Sequence, residues 1–273
     1  MIAVLMTVHN RLQITLQCLR QLEGLSFDRC SYDLEIYLTD DGCTDGTPEA
    51  IRTQFPAVHI IEGNGTLYWN RGTYTAWKAA AKEDFDYYWW VNDDTFVQPD
   101  TLQRLLDSST QHQDRSIIIG STCASDDPGR ITYGGWAKGA LITDLLSEQR
   151  CETFNGNLVL IPRSVFQRLG TNDPYYRHAL GDIDYGLRAG KASIEIWTVT
   201  GICGVCDTHK YRPVWMDPSK PIGQRWKHFH SPIGNNPFEY FHFRNRHYGL
   251  LAAMRSFVTN IIHFFFPNFW PSE

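Results

Sequence analysis

Short apolar runs alternate with amphipathic stretches through the first 122 residues, and several of the runs end abruptly in polar clusters. Ile2–Thr7, Leu34–Thr39, Val58–Ile61, Tyr87–Val91 and Ile117–Ser121 read as strands. Leu12–Leu22, Thr47–Phe55, Gly72–Lys82 and Pro99–Leu106 read as helices between them, with Pro48 in a first turn and Tyr74, Trp77 and Ala81 on one face. This order predicts an α/β fold with a doubly wound, mostly parallel sheet flanked by helices. In such sheets ligands bind beyond the carboxyl ends of the strands. The polar clusters after Thr7, Thr39 and Val91 all fall at such ends, so they are expected to share one site.

The second half is less regular. Gly129–Gly139 reads as a loop, Leu158–Ile161 as a strand, Ser164–Leu169 and Asp182–Ala189 as helices, and Glu195–Val199 as a strand. Residues 207–237 read as an extended loop, and Glu239–Phe257 as one C-terminal helix with basic residues. With no internal repeat and no linker composition, the two halves are expected to build one domain over 1–236. Its nucleotide-binding half is placed at about 1–122 and its acceptor half at about 123–236, followed by a helical, aromatic extension over 237–273.

Composition narrows the function classes. Hydrophobic residues at 42% and charged residues at 20% describe a globular chain. A net charge of −5 disfavours general nucleic-acid binding, which needs a basic face to neutralise phosphates. A nucleotide site stays open, because a metal ion and a few amides can hold a diphosphate. The seven cysteines are scattered through a chain too long to need a disulfide framework, so the reducing cytosol is the expected setting. Cys203 and Cys206 have no second pair to complete a zinc site. Met1–Leu5 reads as the start of a core strand rather than a leader, and no apolar run reaches membrane-spanning length. The tail Phe257–Trp270, broken by Asn260, His263 and Pro267, either packs on the core or lies at a membrane interface.

Four clusters could carry chemistry. Asn92-Asp93-Asp94 at a strand end suits a hard divalent cation with oxygen ligands, or else a turn of solvated acids. The run Asp40–Thr47 can accept from a pyrimidine imide or a ribose hydroxyl, or cap the next helix through Asp45 or Thr47. Gly63–Gly72 brings glycines and Arg71 toward a phosphate, without the lysine of a Walker loop. In Gly181–Arg188, Asp182 and Asp184 cannot face the same way on a helix: one can enter a cleft as a base while the other caps the helix or pairs with Arg188. His209, His228 and His230 are candidates to complete a metal site, each more often structural.

The order of the clusters carries a resemblance. Thr7-Val8-His9-Asn10-Arg11 is followed by Asp40–Thr47, Asn70-Arg71-Gly72, and Asn92-Asp93-Asp94-Thr95 with Pro99. Phe154–Arg163, Gly181-Asp182-Ile183-Asp184 with Arg188, and Phe241-His242-Phe243-Arg244-Asn245 come after them. Over roughly residues 2–250 this resembles family 2 glycosyltransferases of the GT-A fold, especially the rhamnosyltransferase-like branch. The resemblance implies that Thr7, His9 and Arg11 line the nucleotide pocket, with Asn70 and Arg71 beside the donor, and that Asp41 contacts the base. It implies Asp94 as the metal ligand, Asp93 as its helper and His209 as a late-loop ligand, with Mg²⁺ or Mn²⁺ as the ion. Gly156 then lies beside the donor sugar and Asp182 is the base. Two positions depart from the pattern: Asn92 stands for the first acid of the metal motif, and Gly181 for a glutamate before the base.

The implied reaction is an inverting transfer from a UDP- or dTDP-sugar to a hydroxyl of a glycan or lipid-linked acceptor. The setting it implies is polysaccharide biosynthesis at the cell envelope, by a cytoplasmic protein at the inner face of the membrane. The alternative is a non-catalytic nucleotide-sugar or carbohydrate-binding scaffold of the same fold. A nucleotidyltransferase would need a Gly-rich basic loop after the first strand, where Val8–Arg11 stands instead.

Overall fold

The computed structural model describes residues 1–208 and 212–267. β1 (Ile2–Val8) leads into α1 (Leu12–Glu23), β2 (Leu34–Asp40) into α2 (Thr47–Gln54), and β3 (His59–Glu62) into α3 (Tyr68–Ala80). β4 (Tyr87–Val91) runs through β5 (Phe96–Val97) into α4 (Thr101–Gln111). After β6 (Ile117–Cys123) come the short strands β7 (Ile131–Tyr133), β8 (Gly135–Ala137), β9 (Ala140–Leu141), β10 (Gln149–Arg150) and β11 (Thr153–Phe154). β12 (Leu158–Pro162), α5 (Arg163–Leu169), α6 (Gly181–Lys191) and β13 (Ile196–Val205) follow, then α7 (Ile222–Phe229), α8 (Pro237–Tyr248) and α9 (Leu250–Phe265).

Among the described residues the main sheet has the order β10-β13-β6-β12-β4-β1-β2-β3. The β4-β1-β2-β3 half is parallel throughout, and β12 enters antiparallel between β4 and β6. Side chains of β1 alternate between two cores, as a strand covered on both faces requires. Ile2, Val4, Met6 and Val8 meet Leu16, Leu19 and Leu22 of α1 and Leu102 and Leu105 of α4. Ala3 and Leu5 meet Ala76, Trp77 and Ala80 of α3 and Tyr185 and Ala189 of α6. Trp77, Trp89 and Trp90 are fully buried in these cores.

The chain divides into two compact units, Met1–Pro174 with Gly181–Thr208, and Tyr175–Leu180 with the chain beyond Thr208. Two expectations change. The stretch read as an extended loop contains α7, whose Phe229 packs on Phe264 with ring centroids 5.1 Å apart. The single C-terminal helix is a helix pair, broken at Gly249 (φ 88°), with α9 folded back so that Phe257 meets Phe238 and Phe241. The expected loop at 129–139 also holds β7 and β8.

Candidate active site

Strand register brings the clusters together. β1 pairs Val8 with Asp40 of β2 and Leu5 with Trp90 of β4, so the residues after all three strands emerge at one edge. β12 runs the other way and sets Leu158 opposite Val91, which places Gly156 and Asn157 beside Asn92. At this edge Arg11, at the start of α1, donates from one Nη to Asp94 Oδ2 at 2.5 Å and Asp93 Oδ1 at 3.2 Å. Asp93 is buried and also accepts from Thr15 Oγ1 at 3.2 Å. Desolvation raises its pKa to about 7, against the pull of Arg11. Asp94 is more open, with Cys206 Sγ 3.7 Å from its other oxygen.

Asp41 is buried and turned toward its own chain. Its oxygens accept from the backbone N–H of Gly65 (2.8 Å), Leu67 (3.1 Å) and Tyr68 (2.8 Å), where α3 begins. A carboxylate on the open amides of a helix start is a charge-assisted arrangement. It holds Tyr68 at a left-handed φ of 57°, a strain that non-glycine residues keep only where surroundings enforce it. Asp45 bridges α1 and α2, accepting from Leu12 N at 3.0 Å and Thr47 N at 3.1 Å. The exposed His9 has Nδ1 2.6 Å from the Asp41 carbonyl, and Thr7 lies against Thr73 of α3.

Asn70 is fully buried, donating to the Asp173 carbonyl at 2.8 Å and accepting from Asn172. This puts Asn70 behind the site rather than in it. Arg71 donates through Nε to the Pro174 carbonyl at 2.8 Å. Both residues tie α3 to the segment that leads toward α6.

Trp69 links the two ends of the site, and the sequence reading passed over it. Its indole N–H donates to Asn92 Oδ1 at 2.6 Å. Its ring leaves no room at Gly156, where an added Cβ would fall 2.3 Å from it. Gly156 N–H in turn donates to Asp182 Oδ2 at 3.0 Å. Asp182, in the first turn of α6, also accepts from its neighbour Ile183 N at 2.8 Å. Desolvation raises the pKa of this half-buried carboxyl, against those two amides. Asp184 points inward, fully buried, and pairs with Arg188 Nε at 2.9 Å. The two acids thus separate, one toward the Trp69 side and one into a buried ion pair.

The departures at Asn92 and Gly181 have local reasons. Asn92 supplies the acceptor for Trp69. Position 181 cannot carry a side chain, since a Cβ there would lie 1.8 Å from Asn70 Oδ1.

The Glycosyl transferase family 2 model matches residues 3–170. The chain belongs to glycosyl transferase family 2. The matched span includes every element from β1 to α5, and so Arg11, Asp41, Trp69, Asp93, Asp94 and Gly156; Asp182 lies beyond it. Solved structures share the fold at low identity. The mannosyltransferase PcManGT from Pyrobaculum calidifontis, solved with GDP-Man and Mn²⁺, aligns with a TM-score of 0.58 and 16% identity, over 96% of this chain and 75% of that one. The S. aureus protein TarS aligns at 0.59 and 11% identity, over 90% of this chain. This chain spans only 43% of that TarS chain. A 1–349 form of TarS gives 0.55 and 10%, over 97% of this chain and 72% of that one. Among curated proteins none matches. The fold is thereby that of a GT-A glycosyltransferase with a C-terminal helical extension.

Whether the edge suits a divalent ion can be tested on its own charges. Two adjacent acids already recruit the Arg11 guanidinium, so the position favours a cation. Among the described residues no three His, Cys, Asp or Glu side chains converge as a ready cage. Such a donor set fits an ion completed by the substrate's phosphates rather than by protein alone. His209 lies outside the described residues. Cys203 and Cys206 are free, buried thiols, Cys203 against Arg104 and Cys206 near Asp94. His228 and His230 sit in and just after α7, where His230 lies tilted against the Trp226 ring.

Besides Trp69, the sequence reading missed Thr15 and Cys206 as neighbours of the acids. Only the position of Trp69 inside the Gly63–Gly72 run hinted at its role.

Proposed function

We propose that this chain is an inverting glycosyltransferase that moves a sugar from a nucleoside-diphosphate donor to a hydroxyl of a glycan or lipid-linked acceptor. The observation that carries the reading is the chain Asp94–Asn92–Trp69–Gly156–Asp182, which joins the acid cluster held by Arg11 to a carboxylate bonded by two backbone amides. Asp94, with Asp93 behind it, would hold Mg²⁺ or Mn²⁺, whose charge offsets that developing on the leaving diphosphate.

Asp182 takes the proton from the acceptor hydroxyl as its oxygen attacks the anomeric carbon. The amides of Gly156 and Ile183 orient the carboxylate, leaving its remaining lone pairs for that proton. The face of Trp69 packs against the sugar and keeps water off the reacting carbon. Gly156, kept small by Trp69, lets that ring lie close against the strand end that bears the Asp182 contact. A single carboxylate in the base position suits one displacement and inversion. Asp41 acts one step back, by fixing the loop that carries Trp69. Thr7 and His9 flank the nucleotide side, with UDP or dTDP as the donors. The membrane's inner face is the expected place of work, contacted through the C-terminal segment.

Calorimetric titration of UDP, dTDP and GDP, each with and without Mn²⁺, tests the donor site. The expected result is metal-dependent binding of one nucleotide, and transfer of its sugar that Asp182→Asn abolishes while binding persists. Folded protein that binds none of the three would overturn the reading.

A further inference from the structure

α9 carries three kinds of face. Ala253, Asn260 and Phe264 are buried, at the spacing of one helical stripe, with Phe257 partly buried among them. Ser256, Thr259 and His263 form a second, polar stripe. Leu251, Met254, Val258, Ile262 and Phe265 form a third, and all five are exposed, Leu251 at 83% and Val258 at 57%. A surface helix normally turns polar residues outward. A contiguous apolar stripe facing water marks an interaction surface.

The polar stripe opens on a cavity of about 650 Å³, lined among others by Arg244, Arg255, Ser256, Thr259, Asn260 and His263. Asn260 is only 6% exposed, yet its Nδ2 has no hydrogen-bond partner. Arg244 lies over the Tyr248 ring at 4.4 Å, and its buried Nε is likewise unpartnered. Buried donors without acceptors are costly, and both of these line one pocket. The pocket offers guanidinium, amide and hydroxyl donors and no carboxylate, which suits a phosphate.

We infer that α9 lies in the plane of an anionic bilayer, with its apolar stripe among the acyl chains and a phospholipid phosphate seated in the Arg244–Asn260 pocket. Charge complementarity selects this occupant. Residues 237–267 carry three arginines against one glutamate, although the whole chain has a net charge of −5. That glutamate, Glu239, is itself paired with Arg177 at 2.5 Å. Arg255 stands between the apolar stripe and the pocket, where a headgroup would meet it. At 16 residues α9 is about 24 Å long, and no helix among the described residues is long and apolar enough to cross a membrane. An in-plane helix with a basic border is the remaining geometry. This deepens the membrane contact of the preceding reading, by naming the face and the headgroup group it takes.

Co-sedimentation of the full chain with vesicles tests it. Vesicles of neutral phosphatidylcholine are compared with vesicles containing phosphatidylglycerol. The chain should bind the anionic vesicles, more weakly as salt rises. Arg244→Gln with Arg255→Gln should lower partition about 30-fold, and Val258→Asp with Ile262→Asp should abolish it, each at an unchanged melting temperature. Donor titration on the same variants should be unaltered, so a failed donor site and a failed membrane site separate. Equal binding to both vesicles, or none by folded protein, overturns the inference. So does a dimer that needs Val258 and Ile262, or inorganic phosphate binding to the pocket of a chain that ignores vesicles.

Discussion

Two pairs of acids close together in sequence meet opposite fates. Asp93 and Asp94 share one guanidinium, from Arg11. In the other pair Arg188 binds Asp184, and the bonds found for Asp182 come from two backbone amides. The difference shows how one fold sets carboxylates to different tasks. A guanidinium beside a buried acid opposes the rise that burial causes, and Asp93 still reaches about 7. A half-buried acid with amides alone has its pKa raised by desolvation, which makes it a better proton acceptor when ionised.

The sharpest way to break this comparison is Asp182→Asn, expected to lower kcat by about 10²–10⁴-fold with donor affinity unchanged. Wild-type turnover would remove Asp182 from the base position. Asp184→Ala should do the reverse. Arg188 then keeps only its bonds to the Leu169 and Thr171 carbonyls, so denaturant unfolding should show a loss of about 1–3 kcal/mol, while transfer per folded molecule stays near wild type. Equal effects of the two changes on kcat would erase the distinction.

Gly156→Ala should come next, because its Cβ meets the Trp69 ring at 2.3 Å. We expect about 1–3 kcal/mol of destabilisation and a raised donor KM, both partly relieved by Trp69→Phe, as a double-mutant cycle would measure. The smallest effect is on pH. Because the folded carboxyl titrates above its ordinary range, transfer should fall as pH drops through that raised pKa. The acid limb of the kcat profile should therefore lie above the usual carboxylate value of about 4. A limb at or below that value would contradict the burial argument.

Some of this was readable in advance and some was not. The βαβα order, the strand Tyr87–Val91 and the split roles of Asp182 and Asp184 follow from period-two and period-3.6 patterns, which act locally. The proposals of a base at Asp182 and a metal-holding acid at Asp94 came through the order of the clusters. Asn70 and Asp41 were expected at the donor, but the fold spends them on the 172–174 segment and on the start of α3. Nothing local distinguishes an amide that meets a ligand from one that meets a backbone 103 residues away. Trp69 was missed for the same reason, as was the break at Gly249 that folds α9 back on α8.

The sequence by itself determined which stretches become strands and helices, that their polar ends collect at one sheet edge, and which acids gather there. Those outcomes rest on side-chain periodicity and on the geometry of parallel sheets, which are properties of short segments. Tertiary structure alone decided that Arg11 reaches Asp93 and Asp94, why positions 156 and 181 must be glycine, and which face of α9 stays uncovered. Each of these depends on close approaches between residues far apart in the chain, and only the packed fold sets those distances.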